Sequence, residues 1–144
     1  MPLADAREIW ADVAGEMVPV RVGGWRAAVL RDDLPHLEEA LCADPPVRLL
    51  PYFDSFILGH KDREHLVAEK DRKSIYRAQG WIAPVVLVDG RAAGVWALAR
   101  AGDRLTVHVT KFAALSRRVT TGILAEAHDL GRFLGVPSVA VHLG

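Results

Sequence analysis

Residues Arg48–Arg63, RLLPYFDSFILGHKDR, decide how this chain is read. Leu49, Leu50, Tyr52, Phe53, Phe56, Ile57 and Leu58 crowd into the run, and such apolar density is expected in a core. Pro51 argues against a helix, because its ring lacks an N–H and clashes with the preceding turn. Asp54-Ser55 can bond nearby backbone N–H groups and fix a turn. His60, Lys61, Asp62 and Arg63 follow at once. The expectation is a buried strand and turn that hands the chain to a charged surface.

Downstream, Lys61–Val67 reads as one helical turn or two. Arg72–Ala78 reads as a second short helix, with Asp71 as cap and Gly80 as stop. Pro84–Val88 and Arg91–Ala99 flank Asp89-Gly90, a strong two-residue hairpin signal. Alternation makes Val85, Leu87, Val95 and Ala97 candidates for one face. Gly102-Asp103 turns the chain into Leu105–Val109. Trp81 and Trp96 bracket this meander and are expected to pack its core. Leu115, Val119, Ile123, Ala127, Leu130 and Leu134 repeat at helical spacing, which predicts a helix over Leu115–Leu134 ended by Gly135. Ser138–His142 can add an edge strand.

Upstream, Leu3, Ala6, Ile9, Trp10 and Val13 share a face of a helix over Leu3–Ala14 that Gly15 can end. Met17–Leu30 reads as a hairpin. Val18, Val20 and Val22 alternate on one arm and Trp25, Ala27 and Val29 on the other, with Gly23-Gly24 at the turn. Asp32 or Asp33 caps a short helix over Leu34–Leu41. Asp44-Pro45-Pro46 breaks it and marks a boundary between a unit at 1–44 and another at 45–144. The order of elements is α+β: an N-terminal helix–hairpin–helix, then an antiparallel β-meander covered by a long C-terminal helix.

Composition bounds the function. Of 144 residues, 51% are hydrophobic, so a packed core is expected. Eighteen basic and eighteen acidic side chains cancel, so any contact with nucleic acid must come from a local patch. The single cysteine, Cys42, excludes an internal disulfide and a Cys-based zinc site, and fits a reducing cytoplasm. No apolar run reaches membrane-spanning length, and Asp5 and Glu8 stand where a signal peptide carries basic and apolar residues.

The Arg48–Arg63 run and GWIAPVVLVDGRAAGVW at Gly80–Trp96 carry a resemblance. LLPYFD, then LGH-DR, a basic segment, GW-PVVLVDGR--GVW and a closing helix ending FLG resemble the C-terminal part of bacterial winged-helix DNA-binding proteins of the alkylpurine DNA glycosylase-like family. The match spans roughly Pro45–Gly135. It implies that Leu3–Leu41 is the second half of a winged-helix unit whose preceding helices are missing. In that family a Gln-apolar-Gln or Gln-apolar-Asp motif performs base excision. Here Gln79, the sole glutamine, is followed by Gly80 and Trp81, so no catalytic residue carries over. The resemblance implies a DNA-binding module that is non-catalytic alone.

The basic segment His60–Arg77 supplies the candidate contacts. Lys61, Arg63, Arg72, Lys73 and Arg77 can meet phosphates, and Tyr76 and Trp81 can stack on an exposed base. The same mixed-sign run also reads as a solvated pair of helices. Other chemistry finds less support. His60 and His65 are five apart, which does not align them on a helix face, and His108 and His142 have no carboxylate partner in sequence. No serine sits in a nucleophile pattern, no phosphate loop or dinucleotide fingerprint occurs, and Asp54 reads as a turn acid. No metal, cofactor or membrane is expected. Two alternatives stay open. One is a scaffold docking on winged-helix units or on a self-partner, marked by exposed apolar surface on Leu3–Leu30. The other is a small-ligand binder using a cavity under Phe53 and Trp81.

Overall fold

A computed structural model describes residues 3–22, 24–40, 46–60 and 62–144. Cys42, Asp44, Pro45, Gly23 and Lys61, on which several expectations fall, lie outside the described residues. The chain divides into two units, Met1–Asp44 and Pro45–Gly144.

In the first unit, α1 (Leu3–Val13) leads through a 3₁₀ turn at Ala14–Glu16 into β1 (Met17–Val22), which pairs antiparallel with β2 (Trp25–Leu30). Val18 lies opposite Val29, Val20 opposite Ala27 and Val22 opposite Trp25. A second 3₁₀ turn at Arg31–Asp33 opens α2 (Leu34–Ala40). Among the described side chains of this unit none is buried. Ile9, Trp10, Val22, Trp25, Leu30 and Leu37 are all exposed.

The second unit is mixed α+β, built on a five-stranded sheet in the order β3-β4-β5-β6-β7. β3 (Val47–Leu50) pairs with β4 (Val85–Val88), β4 with β5 (Arg91–Ala101), and β5 with β6 (Arg104–Lys111), all antiparallel. The turn at Asp89-Gly90 has the two positive φ values, 51° and 69°, that a type I′ hairpin needs. Val88 then lies opposite Arg91. Further along, Leu87 faces Ala92 while Val86 faces Gly94. Ala93 is therefore a bulge residue, and it shifts the strict alternation expected of this strand. Gly94 accommodates the close crossing, since a Cβ there would meet the Thr110 carbonyl oxygen at 2.6 Å.

The expected meander is antiparallel, and the edge strand expected at Ser138–His142 joins it in parallel. α5 (Arg117–Phe133) carries the chain back across the sheet, so β7 (Ser138–Leu143) runs parallel to β6. A crossover through a helix returns the chain in the direction it left, whereas a tight turn reverses it. α5 starts at Ser116, whose Oγ accepts the Val119 N–H at 3.3 Å. It ends with the Val136 N–H on the Gly131 carbonyl and the Gly135 N–H on the Arg132 carbonyl, with Gly135 at φ 65°. Those bonds define a Schellman motif, and they place Gly135 where the helical periodicity put it.

One face of α5 buries Val119, Ile123 and Ala127 against Val47, Val86, Val107 and Val109. The helix lies on β3 and β7. Its Glu126 carboxylate accepts the Leu49 N–H at 3.1 Å and pairs with Arg48 at 3.2 Å. The segment 51–84 covers the opposite face of the sheet at the β3–β5 end, packing Ile57, Val67, Ile75 and Ile82 on Val85. Trp96 fastens the edge strand as well, donating Nε1–H to the Leu50 carbonyl at 2.8 Å.

Candidate nucleic-acid interface

The segment 51–84 is where structure and sequence part most clearly. Its apolar density does not all go to the core. Ile57 is buried, at 1% exposure, but Tyr52, Phe53, Phe56 and Leu58 are exposed. The cause is local. Asp54 caps a single helical turn, α3 (Ser55–Leu58), by accepting the Phe56 N–H at 2.9 Å on its side chain, while its carbonyl accepts Ile57 and Leu58. One short turn can point only one of its side chains inward. The reading of Asp54 as a turn acid agrees with this geometry.

Of the one or two helical turns expected over Lys61–Val67, one closes among the described residues, and the short helix expected over Arg72–Ala78 stops at Ile75. Leu66 and Val67 both donate to the Arg63 carbonyl and close one turn. Their side chains are buried and anchor it. α4 (Arg72–Ile75) is also one turn long, and the Asp71 side chain makes no capping bond to it. After Ile75 the backbone extends, and Tyr76 bridges antiparallel to Ile82. The Arg77 N–H then meets the Trp81 carbonyl at 2.8 Å. A tight loop therefore sets Arg77 and Trp81 side by side. Within it Gln79 holds φ 61° and Gly80 φ 75°.

Trp81 was expected in the core but is 50% exposed. Its ring packs edge to face on Phe53, with centroids 5.0 Å apart, and on Tyr52 at 5.7 Å. Phe53 itself holds φ 57°. Left-handed backbone at a bulky non-glycine residue costs about 1–3 kcal/mol and persists where the surroundings impose it. Both loops that present these rings contain such a residue, Phe53 in one and Gln79 in the other.

The remaining candidates fall nearby in unequal states. The Arg63 guanidinium lies 3.9 Å over the Tyr76 ring, and its Nε–H donates to the His60 carbonyl. Tyr76 is half-buried and donates its hydroxyl to the Ile57 carbonyl at 3.0 Å. Burial holds the Tyr76 phenol above its ordinary pKa, against the opposing charges of Arg63 and Arg72. Arg72 pairs with Glu69 at 2.9 Å and has a buried Nε without a hydrogen-bond partner. Lys73 is exposed. Arg77 is exposed too, its Nε–H reaching the Ser74 carbonyl.

Sequence spacing missed two contacts. His60 and His65 come together, with ring centroids 4.7 Å apart, because a turn rather than a helix joins them, and Phe56 packs on His60 at 5.3 Å. His108 and His142 stand in register on the parallel strands β6 and β7, with rings stacked at 5.2 Å. No group of three metal-ligating side chains occurs among the described residues. Among those residues no helix is long and apolar enough to cross a membrane.

These features define an α+β domain with an exposed aromatic surface beside guanidinium groups. The chain belongs to the AlkZ-like DNA glycosylase family, whose model matches residues 1–133. The relation thus extends N-terminally beyond the Pro45 limit of the sequence resemblance. The chain is 35% identical over 140 residues to an interstrand DNA cross-link repair glycosylase of Streptomyces sahachiroi, covering 95% of this chain and 36% of that protein. The solved structure of Streptomyces sahachiroi DNA glycosylase AlkZ superposes with a TM-score of 0.74 at 33% identity, covering 100% of this chain and 38% of that one. The chain therefore spans little more than a third of the length of either relative.

Proposed function

We propose that this chain is a DNA-binding module of the AlkZ-like glycosylase family, non-catalytic by itself and working on DNA in the cytoplasm. The observation that carries the reading is the loop that sets exposed Arg77 beside exposed Trp81, with Lys73 one turn away, in a chain whose relatives are named as DNA glycosylases. Phosphate contacts come from Lys61, Arg63, Arg72, Lys73 and Arg77, and Tyr76 and Trp81 lie against the strand. Arg63 and Arg72 begin partly engaged, with Tyr76 and Glu69, so Lys73 and Arg77 contribute most per residue. Met1–Asp44 acts as a partial winged-helix-like unit and Pro45–Gly144 as the α+β domain. The absence of a Gln-apolar-Gln or Gln-apolar-Asp motif supports the non-catalytic part of the reading.

Fluorescence anisotropy against labelled duplex DNA over a range of salt tests this. Each neutralised phosphate releases counterion, so three to five contacts give a log–log slope of roughly −2.7 to −4.5. Lys73→Ala with Arg77→Ala flattens the slope by about two units. Undetectable binding at low salt overturns the reading, and robust release of a modified purine from alkylated duplex overturns its non-catalytic part.

A second reading has its own support. A unit of this size with no buried side chain among those described is not expected to be stable unaided. Ile9, Trp10, Val22, Trp25, Leu30 and Leu37 are the exposed apolar surface that a docking scaffold needs. On this reading that surface packs on winged-helix units elsewhere in the same protein, in a partner or in a second copy. Loss of self-association on changing Trp10 and Val22 to Ser, measured by sedimentation velocity, distinguishes the second copy. The small-ligand reading draws less support, because Phe53 and Trp81 fill the space between them with each other.

A further inference from the structure

From the aromatic surface of the second unit we infer a binding site for unpaired DNA bases, in which Trp81, Phe53 and Tyr52 form a stacking platform. The inference rests on the DNA-binding reading and names the form of DNA that this surface selects. Three observations carry it.

The first is exposure. Tyr52, Phe53 and Trp81 are 52%, 42% and 50% exposed although they touch one another. Each edge-to-face contact covers one face of one ring, so two such contacts leave four of the six faces of these three rings uncovered by one another, and a ring face is what a nucleobase stacks on. A paired base in a duplex has both its faces occupied by its neighbours, so it cannot use such a platform. A base in a single strand, a bubble or a frayed end can.

The second is charge. The Arg77 backbone is hydrogen-bonded to that of Trp81, and Lys73 is exposed on the preceding turn. Exposed basic residues on the segment that carries Trp81 match the two surfaces of a single strand, anionic backbone and apolar base. An apolar protein partner has no use for the guanidinium, and a bare phosphate site has no use for three rings.

The third is backbone strain at the two tips that carry the rings. Phe53 and Gln79 both occupy left-handed backbone, at φ 57° and 61°. A strained conformation that turns a phenylalanine outward gains nothing for the core, which Ile57 fills from the next turn. Observed outliers of this kind gather at binding surfaces.

The test uses the full 144-residue chain and three labelled probes at one salt concentration: an oligothymidylate, a perfect duplex, and the same duplex with a central run of mismatches. The expected result is tighter binding to the single strand and the mismatched duplex than to the perfect duplex. Trp81→Ala should lower single-strand affinity by about tenfold or more and perfect-duplex affinity by a clearly smaller factor. Trp81→Phe should keep most of the single-strand affinity, which separates stacking from loss of fold. Circular dichroism melting of both variants checks the fold directly. Equal affinity for all three probes, unchanged by Trp81→Ala, overturns the inference and leaves the DNA-binding reading standing. Binding to none of them at low salt overturns both. Unaltered DNA binding with loss of self-association in Trp81→Ala assigns the surface to a protein contact and also overturns the inference.

Discussion

Replacing Gly122 with alanine isolates what holds α5 on the sheet. Alanine is the best helix former, so on an open helix face the change would stabilise by about 1 kcal/mol. Here the new Cβ lands 2.6 Å from Val47 Cγ2 and 2.8 Å from Val47 Cβ. Carbon atoms prefer about 3.5–4.0 Å, so the methyl intrudes by roughly 1 Å. Val47 cannot yield by turning, because a β-branched side chain has few χ1 wells and this one is buried among Val86, Val119 and Ile123. α5 must lift instead, and Glu126 stands one turn further along the same face. Lifting therefore also stretches its bonds to the Leu49 N–H and to Arg48. Overpacking of this kind costs about 1–3 kcal/mol, which outweighs the propensity gain. The net expectation is a loss of about 1–2 kcal/mol, or a Tm lowered by roughly 5–15 °C if the second unit melts as its own domain. Thermal and urea melts followed by circular dichroism measure it. Val47→Ala alone should also destabilise, but combined with Gly122→Ala the two losses should add to less than their sum, because the smaller residue makes room. A Gly122→Ala protein as stable as the parent, or a double variant showing simple additivity, would refute the packing account.

Ile123→Ala empties a fully buried position under the sheet and should cost about 2–5 kcal/mol in the same urea melts. Ser116→Ala removes the acceptor for the Val119 N–H and should cost about 1 kcal/mol, a loss that Ser116→Asp should largely avoid. Tyr76 is held neutral by burial, so folding favours the protonated phenol. Its contribution is complete below about pH 10 and is lost as pH rises through the elevated folded value, so stability should fall above about pH 10, and less steeply in Tyr76→Phe. Absorbance titration near 295 nm should show a phenolate component appearing above the ordinary range, absent from that variant.

Local signals were legible where one residue type does one job. Asp89-Gly90 specified its turn because only residues tolerant of positive φ fit a type I′ hairpin. Gly135 and the 3.6-residue spacing of Val119, Ile123 and Ala127 located α5 to within about two residues. The parallel return of β7 was not legible, because a strand's partner and direction depend on the helix before it rather than on its own residues. The Ala93 bulge was equally hidden among small residues that carry no turn signal.

The surface was harder to read than the core. Tyr52, Phe53 and Trp81 look like core residues by composition, and only the tight loops at Phe53 and Gln79-Gly80 turn them outward. The cations were found by type, but their states follow from neighbours the sequence did not bring together. Arg72 meets Glu69 through a 3₁₀ turn, and Arg63 meets Tyr76 through a chain reversal.

The strand order also bears on how fast the second unit folds. β4, β5 and β6 are joined by two-residue turns at Asp89-Gly90 and Gly102-Asp103, so they can zip together by local contacts within microseconds to milliseconds. Both outer strands must wait. β3 reaches β4 only after the whole of Pro51–Pro84 is looped out, and β7 reaches β6 only after α5 is laid across the sheet. Loop-closure entropy taxes both margins and spares the centre. In a pulse-labelled hydrogen-exchange experiment, amides of the β4–β6 meander should gain protection first, and those of Val47–Leu50 and Ser138–Leu143 together afterwards, when the arrival of α5 closes both sides at once.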